Sequence, residues 1–189
     1  MRELCKRVRA LRFFSLAIAL TAVLVPGSAM AQWQQHVFAD LGVAVEFPAA
    51  PISEDGEYQT VVIGDNPVPA VILSADVGGS SFMATVADLR APDIVIHGAN
   101  IMAECYFVAE EEGHALSNLA LRAEDGTAYG VHGRVVDIEI EGEGRKQTSC
   151  FVANGRLFKL EATTQLGAPS DQMAMATRFV RSLRFDVGA

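Results

Sequence analysis

From Trp33 onward, apolar positions fall in short alternating or β-branched runs separated by turn residues at regular intervals, the pattern of half-buried strands. The runs predict strands over 33–38, 43–47, 58–63, 70–75 and 81–87. Gly42, Pro48, Pro51, Gly56, Pro67, Pro69 and the pair Gly78-Gly79 punctuate them, and the last pair suits a tight hairpin. The period changes after Pro92-Asp93. Val95, Ala99, Met102, Ala103 and Tyr106 follow helical spacing as far as Glu110-Glu111-Glu112-Gly113, which predicts a helix. A second meander is predicted over 116–122, 128–140, 146–153 and 157–164.

Asn154-Gly155 is the strongest local signal in the chain, a two-residue hairpin turn. It sets a register in which Ala153 faces Arg156, Phe151 faces Phe158 and Ser149 faces Leu160, with Val152 opposite Leu157 and Cys150 opposite Lys159 on the other side. A C-terminal helix is expected over 169–183, with Met173, Ala176, Phe179, Val180 and Leu183 as its apolar stripe, followed by a short strand over 183–187. The expected fold class is α+β: an antiparallel β-sheet of two meanders flanked by helices on both faces. The helix before Gly113 should lie against the face of Val152 and Leu157, and the C-terminal helix against that of Phe151, Phe158 and Leu160.

The first 31 residues do not belong to this pattern. Lys6, Arg7, Arg9 and Arg12 precede the apolar run 13–25, then Pro26, Gly27 and Ala29-Met30-Ala31. This is the form of a secretory signal peptide cleaved after Ala31, leaving residues 32–189 as a single domain in the periplasm or outside the cell. The apolar run spans ~20 Å at ~1.5 Å per residue, short of a ~30 Å hydrocarbon core. Cys5 precedes that run and so cannot carry a lipid at the cleavage site. No membrane insertion is therefore expected after cleavage.

Processing changes the charge. The whole chain carries -8, but the leader holds five of its 15 basic residues and one of its 23 acids, leaving 10 bases against 22 acids and a net charge of -12. That balance disfavours nucleic acid and anionic lipid as partners. Of three cysteines only Cys105 and Cys150 remain. In an oxidising compartment they are expected to form one disulfide, a structural staple, the alternative being two separate buried thiols.

Candidate chemistry is sparse. His36, His97, His114 and His132 stand singly, and isolated histidines on strands and helices are usually surface or satisfied core groups. Ser80-Ser81 after Gly78-Gly79 lacks a nucleophile elbow, and no phosphate-cradling glycine loop is present. Asp137, Glu139, Glu141 and Glu143 alternate with Val136, Ile138 and Ile140, and so form a candidate acidic interaction stripe. The plainer reading is the solvated end of a long hairpin, with Arg145 and Lys146 returning alongside. No cofactor, catalytic residue or metal ligand is assigned.

Three stretches carry a resemblance. Gly42, Val45, Phe47 and Pro48 with Pro51, then Gly155-Arg156-Leu157-Phe158, and finally the segment from Ala176 to Phe185 resemble exported bacterial proteins with a PsbP-like α/β/α sandwich fold. The resemblance implies an antiparallel sheet between helices. It rests on packing positions, which carry no chemistry, and the metal and photosystem contacts of PsbP find no matching motif here. The function expected is an exported, non-catalytic binding or interaction module of the cell envelope, its partner an envelope protein or small ligand. A structural accessory subunit is the alternative, and an enzyme whose site assembles in space is the third reading.

Overall fold

The computed structural model describes residues 33–60, 64–90, 105–106, 113–123 and 131–185. These residues fall in one compact unit, Ala31–Ala189. In chain order the elements are β1 (Gln34–Phe38), a 3-10 turn (Ala39–Leu41), β2 (Val43–Phe47), β3 (Ile52–Thr60), β4 (Gly64–Val77), β5 (Ser80–Asp88), β6 (His114–Ala123), β7 (Val131–Ile140), β8 (Gly144–Ala153), β9 (Arg156–Gln165), α1 (Ser170–Val180) and β10 (Arg184–Phe185). Seven strands form an antiparallel sheet in the order β3-β4-β5-β9-β8-β7-β6, and β1-β2-β10 form a second, three-stranded sheet.

The β8–β9 hairpin has the register expected from its turn: Ala153 pairs with Arg156, Phe151 with Phe158, Ser149 with Leu160, Val152 with Leu157 and Cys150 with Lys159. Asn154 and Gly155 take φ of 51° and 70°, the doubly left-handed turn that this dipeptide favours. Gly133 on β7 answers a different need. A Cβ there would run into the Cys150 carbonyl and the Phe151 ring across the ladder.

The expectation of helices on both faces is corrected. Among the described residues α1 is the one α-helix of more than a turn, and the chain is predominantly antiparallel β. Strands β1 and β2 do not continue the first meander. Val43, Ala44, Val45 and Phe47 of β2 are all buried, so this strand needs cover along its length, and β1 and β10 flank it. The small sheet thus shares with α1 the face that the sequence pattern assigned to a helix alone. On the other face the described helical residues are Cys105 and Tyr106; the remainder of the helix expected between Pro92 and Gly113 lies outside the described residues.

Helix α1 packs on β9, β8 and β5. Its Ala176, Phe179 and Val180 are buried, and the Phe179 ring meets Phe47 of the small sheet at 5.0 Å and Phe82 of the large one at 5.4 Å. Phe185 closes the layer against Phe158 at 5.0 Å and Phe151 at 6.2 Å. Each such ring contributes ~1.5–3 kcal/mol of burial. The first turn of α1 is tied to the β4–β5 hairpin, where Gln172 donates to the Gly78 carbonyl at 2.6 Å.

Two elements depart from their predicted extents. β3 begins at Ile52, not Tyr58, although Ser53 to Glu57 is largely polar; as an edge strand of the sheet it is exposed along much of its length. β4 runs through Pro67 and Pro69, which read as strand breakers. Both lie beyond Ala70, where pairing with β5 ends; Pro69 pairs with Glu57 of β3 and Pro67 falls at the register shift between Tyr58 and Thr60, so neither sits between two neighbouring strands.

Candidate functional site

The large sheet is wider than the helix that covers it. Where β6 and β7 extend past α1, a cleft of 380 Å³ opens, with Ser117, Leu119, Val135, Asp137, Arg145 and Gln147 of β6, β7 and β8 as its floor and Met173, Ala174, Thr177 and Arg181 along α1 as its wall. That volume is near the small end of the ~300–1,000 Å³ range of ligand sites. Pairing of Leu119 with Val135 and of Ser117 with Asp137 brings the floor residues side by side.

Asp137 is 8% exposed. Arg145 grips it with both arms of the guanidinium, Nε donating to Oδ1 at 2.6 Å and the second nitrogen donating to Oδ2. Gln147 adds an amide donor to Oδ2 at 3.2 Å. Both carboxylate oxygens are thereby taken up by donors from Arg145 and Gln147. Hydrogen bonding to Asp137 raises the Arg145 pKa above its ordinary value, so the guanidinium stays charged. At the rim, the Thr177 hydroxyl donates to the Met173 carbonyl at 3.1 Å, and Arg181 is exposed.

The four acids singled out in the sequence do not form one row. Asp137 is the buried member just described. Glu139 is exposed on β7 opposite Arg145, and Glu141 and Glu143 are exposed in the turn that follows Ile140. The strand ends before the last two acids, so alternation does not continue through them. Arg145 and Lys146 separate to opposite faces, Arg145 toward Asp137 and Lys146 toward Glu161.

The opposite face carries a second charged cluster. Glu161 accepts from Lys146 at 2.8 Å and Lys159 at 2.9 Å through one carboxylate oxygen, and the Lys159 ammonium lies 5.8 Å from the Tyr58 ring centre. Burial by itself would push the Glu161 pKa up, but the charges and hydrogen bonds of the two lysines outweigh it and hold the group below its ordinary value. Beside this cluster Cys105 and Cys150 form a disulfide with Cα atoms 6.3 Å apart, packed with Leu157, Ala87 and Leu89.

A second hollow, of 310 Å³, opens between Leu41 and the ends of β3, β4 and β5, and Arg156 lines it while donating to the carbonyls of Asp40 and Leu41. Nearby, Arg90 holds the Asp88 pKa at about 2, chiefly through side-chain hydrogen bonding. The described histidines stay apart. His36 lies on β1 with its ring 5.9 Å from Phe47, His114 and His132 are exposed on β6 and β7, and His97 is outside the described residues. Among the described residues no group of three or more histidines, cysteines and acids is placed to hold a metal ion. Ser80 is buried after the Gly78-Gly79 turn, its hydroxyl 3.4 Å from the Gln172 side-chain oxygen.

Arg181, Gln147, Met173 and Thr177 went unremarked in the sequence as site residues because no motif unites them. They come from two elements separated in the chain, joined only by the way α1 lies on β8. The one local signal was the return of Arg145 alongside Asp137 in the β7–β8 hairpin.

No family model matches this sequence, and no curated protein matches it. Among solved structures the chain is similar to the solution structure of cyanobacterial PsbP (CyanoP) from Synechocystis sp. PCC 6803, with a TM-score of 0.52 and 13% identity over 84% of this chain and 95% of that one. The fold is therefore PsbP-like, which a likeness at this identity shows without specifying an activity.

Proposed function

We propose that this chain is an exported, non-catalytic binding module of the cell envelope, processed after Ala31, and that its ligand or partner segment occupies the cleft between α1 and the outer strands. The observation that carries this reading is the cleft itself, where Leu119, Val135, Met173 and Ala174 adjoin a fixed Asp137–Arg145–Gln147 group and an exposed Arg181. The Cys105–Cys150 disulfide suits an oxidising compartment. The Asp137–Arg145 pair gives the cleft a fixed polar group to orient a ligand.

The test is affinity capture from envelope extract with the wild-type protein and with Ala174→Trp, followed by mass spectrometry of retained proteins and small molecules. Ala174 is exposed on the cleft wall, so an indole there fills the space without entering the core. A species held by the wild type and lost from the variant is expected. Identical retention by both proteins contradicts the assignment of the cleft.

A further inference from the structure

The geometry points to an organic carboxylate on a short apolar stem as the ligand class of the cleft between α1 and β6–β8, its charge meeting Arg181 and the outward side of Arg145 and its stem lying between Leu119, Met173 and Ala174. This rests on the reading of the cleft as a binding site. The charge of the lining decides the class. Arg145 and Arg181 are its two cations and Asp137 its single acid, and Asp137 is already neutralised by Arg145 with support from Gln147. Glu139, opposite Arg145 in register on the same face, also acts on the Arg145 charge, so the exposed Arg181 is the cation of the lining left to a ligand, on a chain whose overall charge is -8. A cationic ligand would have to displace Arg145 from its two-armed pair with Asp137.

Arg145 offers more than neutralisation. Its Nε and one terminal nitrogen are turned to Asp137, and the guanidinium has five N–H donors in a fixed fork, so donors on its far edge remain for a second acceptor. Asp137 holds that fork in one orientation, and Arg145 retains side-chain exposure of 38%. Arg181 follows the last turn of α1, with its backbone N–H bonded to the Arg178 carbonyl and its side chain exposed. Its neighbour Arg178 is engaged by Glu46 at 2.8 Å and lies over the Trp33 ring, so the two arginines have different surroundings. Glu139, opposite Arg145 in register, stands outside the lining. Leu119 is 53% exposed, an apolar surface for the stem that the protein itself leaves uncovered.

The experiment is amide NMR of the disulfide-bonded protein titrated with N-acetylleucine, with its neutral analogue N-acetylleucinamide, and with inorganic phosphate. N-acetylleucine is expected to give saturable shifts at Gln147, Thr177 and Arg181, with at least tenfold weaker binding of the amide. Arg181→Gln should weaken the carboxylate about tenfold, the loss of one charge-assisted contact, while Arg181→Lys recovers part of it; an unchanged thermal midpoint in both variants establishes that the fold persists. Equal binding of acid and amide, or phosphate binding as tightly as N-acetylleucine, overturns the proposal. Failure of all three probes to bind also overturns it, and the cleft reading still stands if Ala174→Trp discharges a captured species. If that variant discharges nothing either, both readings fall together.

Discussion

Ser149 is fully buried in β8, between Val135 and Leu160 in the sheet, and its hydroxyl has no hydrogen-bond partner. A buried polar atom left unpaired costs roughly 1–3 kcal/mol, so Ser149→Ala is expected to raise stability by about 1 kcal/mol in urea unfolding, and a loss of stability would show that the hydroxyl is in fact engaged. Glu161 is the opposite case. It is the shared counter-ion of two lysines, and Glu161→Gln leaves both ammonium groups without it, at an expected cost of about 3 kcal/mol at pH 7. Because the folded-state pKa of Glu161 is depressed, its contribution is full above the unfolded glutamate value of ~4.3 and is lost as the pH falls through the lower folded value. The gap between wild type and Glu161→Gln should therefore narrow between pH 7 and pH 3; a gap that stays constant would exclude the ion pairs as its source. Neither residue announces this in the sequence. The hairpin register puts Ser149 on the face of Phe151 and Leu160, but a serine there does not show that its hydroxyl lacks a partner, and nothing local brings Lys146 and Lys159 onto one oxygen of Glu161.

At the scale of elements, the parts legible in the sequence were those set by local chemistry. Asn154-Gly155 fixed a register, and the register placed Cys150 with Leu157 on one face and Phe151, Phe158 and Leu160 on the other, where Cys105 and α1 respectively lie. What local patterning could not reveal was the departure of β1 and β2 into a separate sheet, because their alternation is the same whichever sheet they join. For the same reason the cleft was not legible: it exists because α1 is narrower than the sheet, a relation between distant segments. The disulfide joins Cys105 to this frame across 45 residues, and the chain-entropy estimate gives about 4 kcal/mol for a loop of that length. Cys105→Ala combined with Cys150→Ala is expected to lower unfolding stability by about that amount in urea titration. An unchanged midpoint would mean that the staple constrains a chain already held by its strands.

For the whole molecule, the proposed processing after Ala31 sets the charge. Without residues 1–31 the net charge goes from -8 to -12, so a protein processed there is expected to pass through a heparin column near physiological ionic strength without retention, and retention would refute the charge argument. Arg181, exposed at the cleft, then stands against an acidic background, which would favour small anions able to enter the cleft over extended polyanions. The central claim is that an exported, disulfide-bonded domain holds a ligand in that cleft. Native mass spectrometry of the protein purified after export with its own leader tests it most directly: the expected result is a chain beginning at Gln32, two hydrogens lighter than its reduced form, with a bound species that Ala174→Trp lacks. A ligand-free chain in both proteins, or one that keeps residues 1–31, would contradict it.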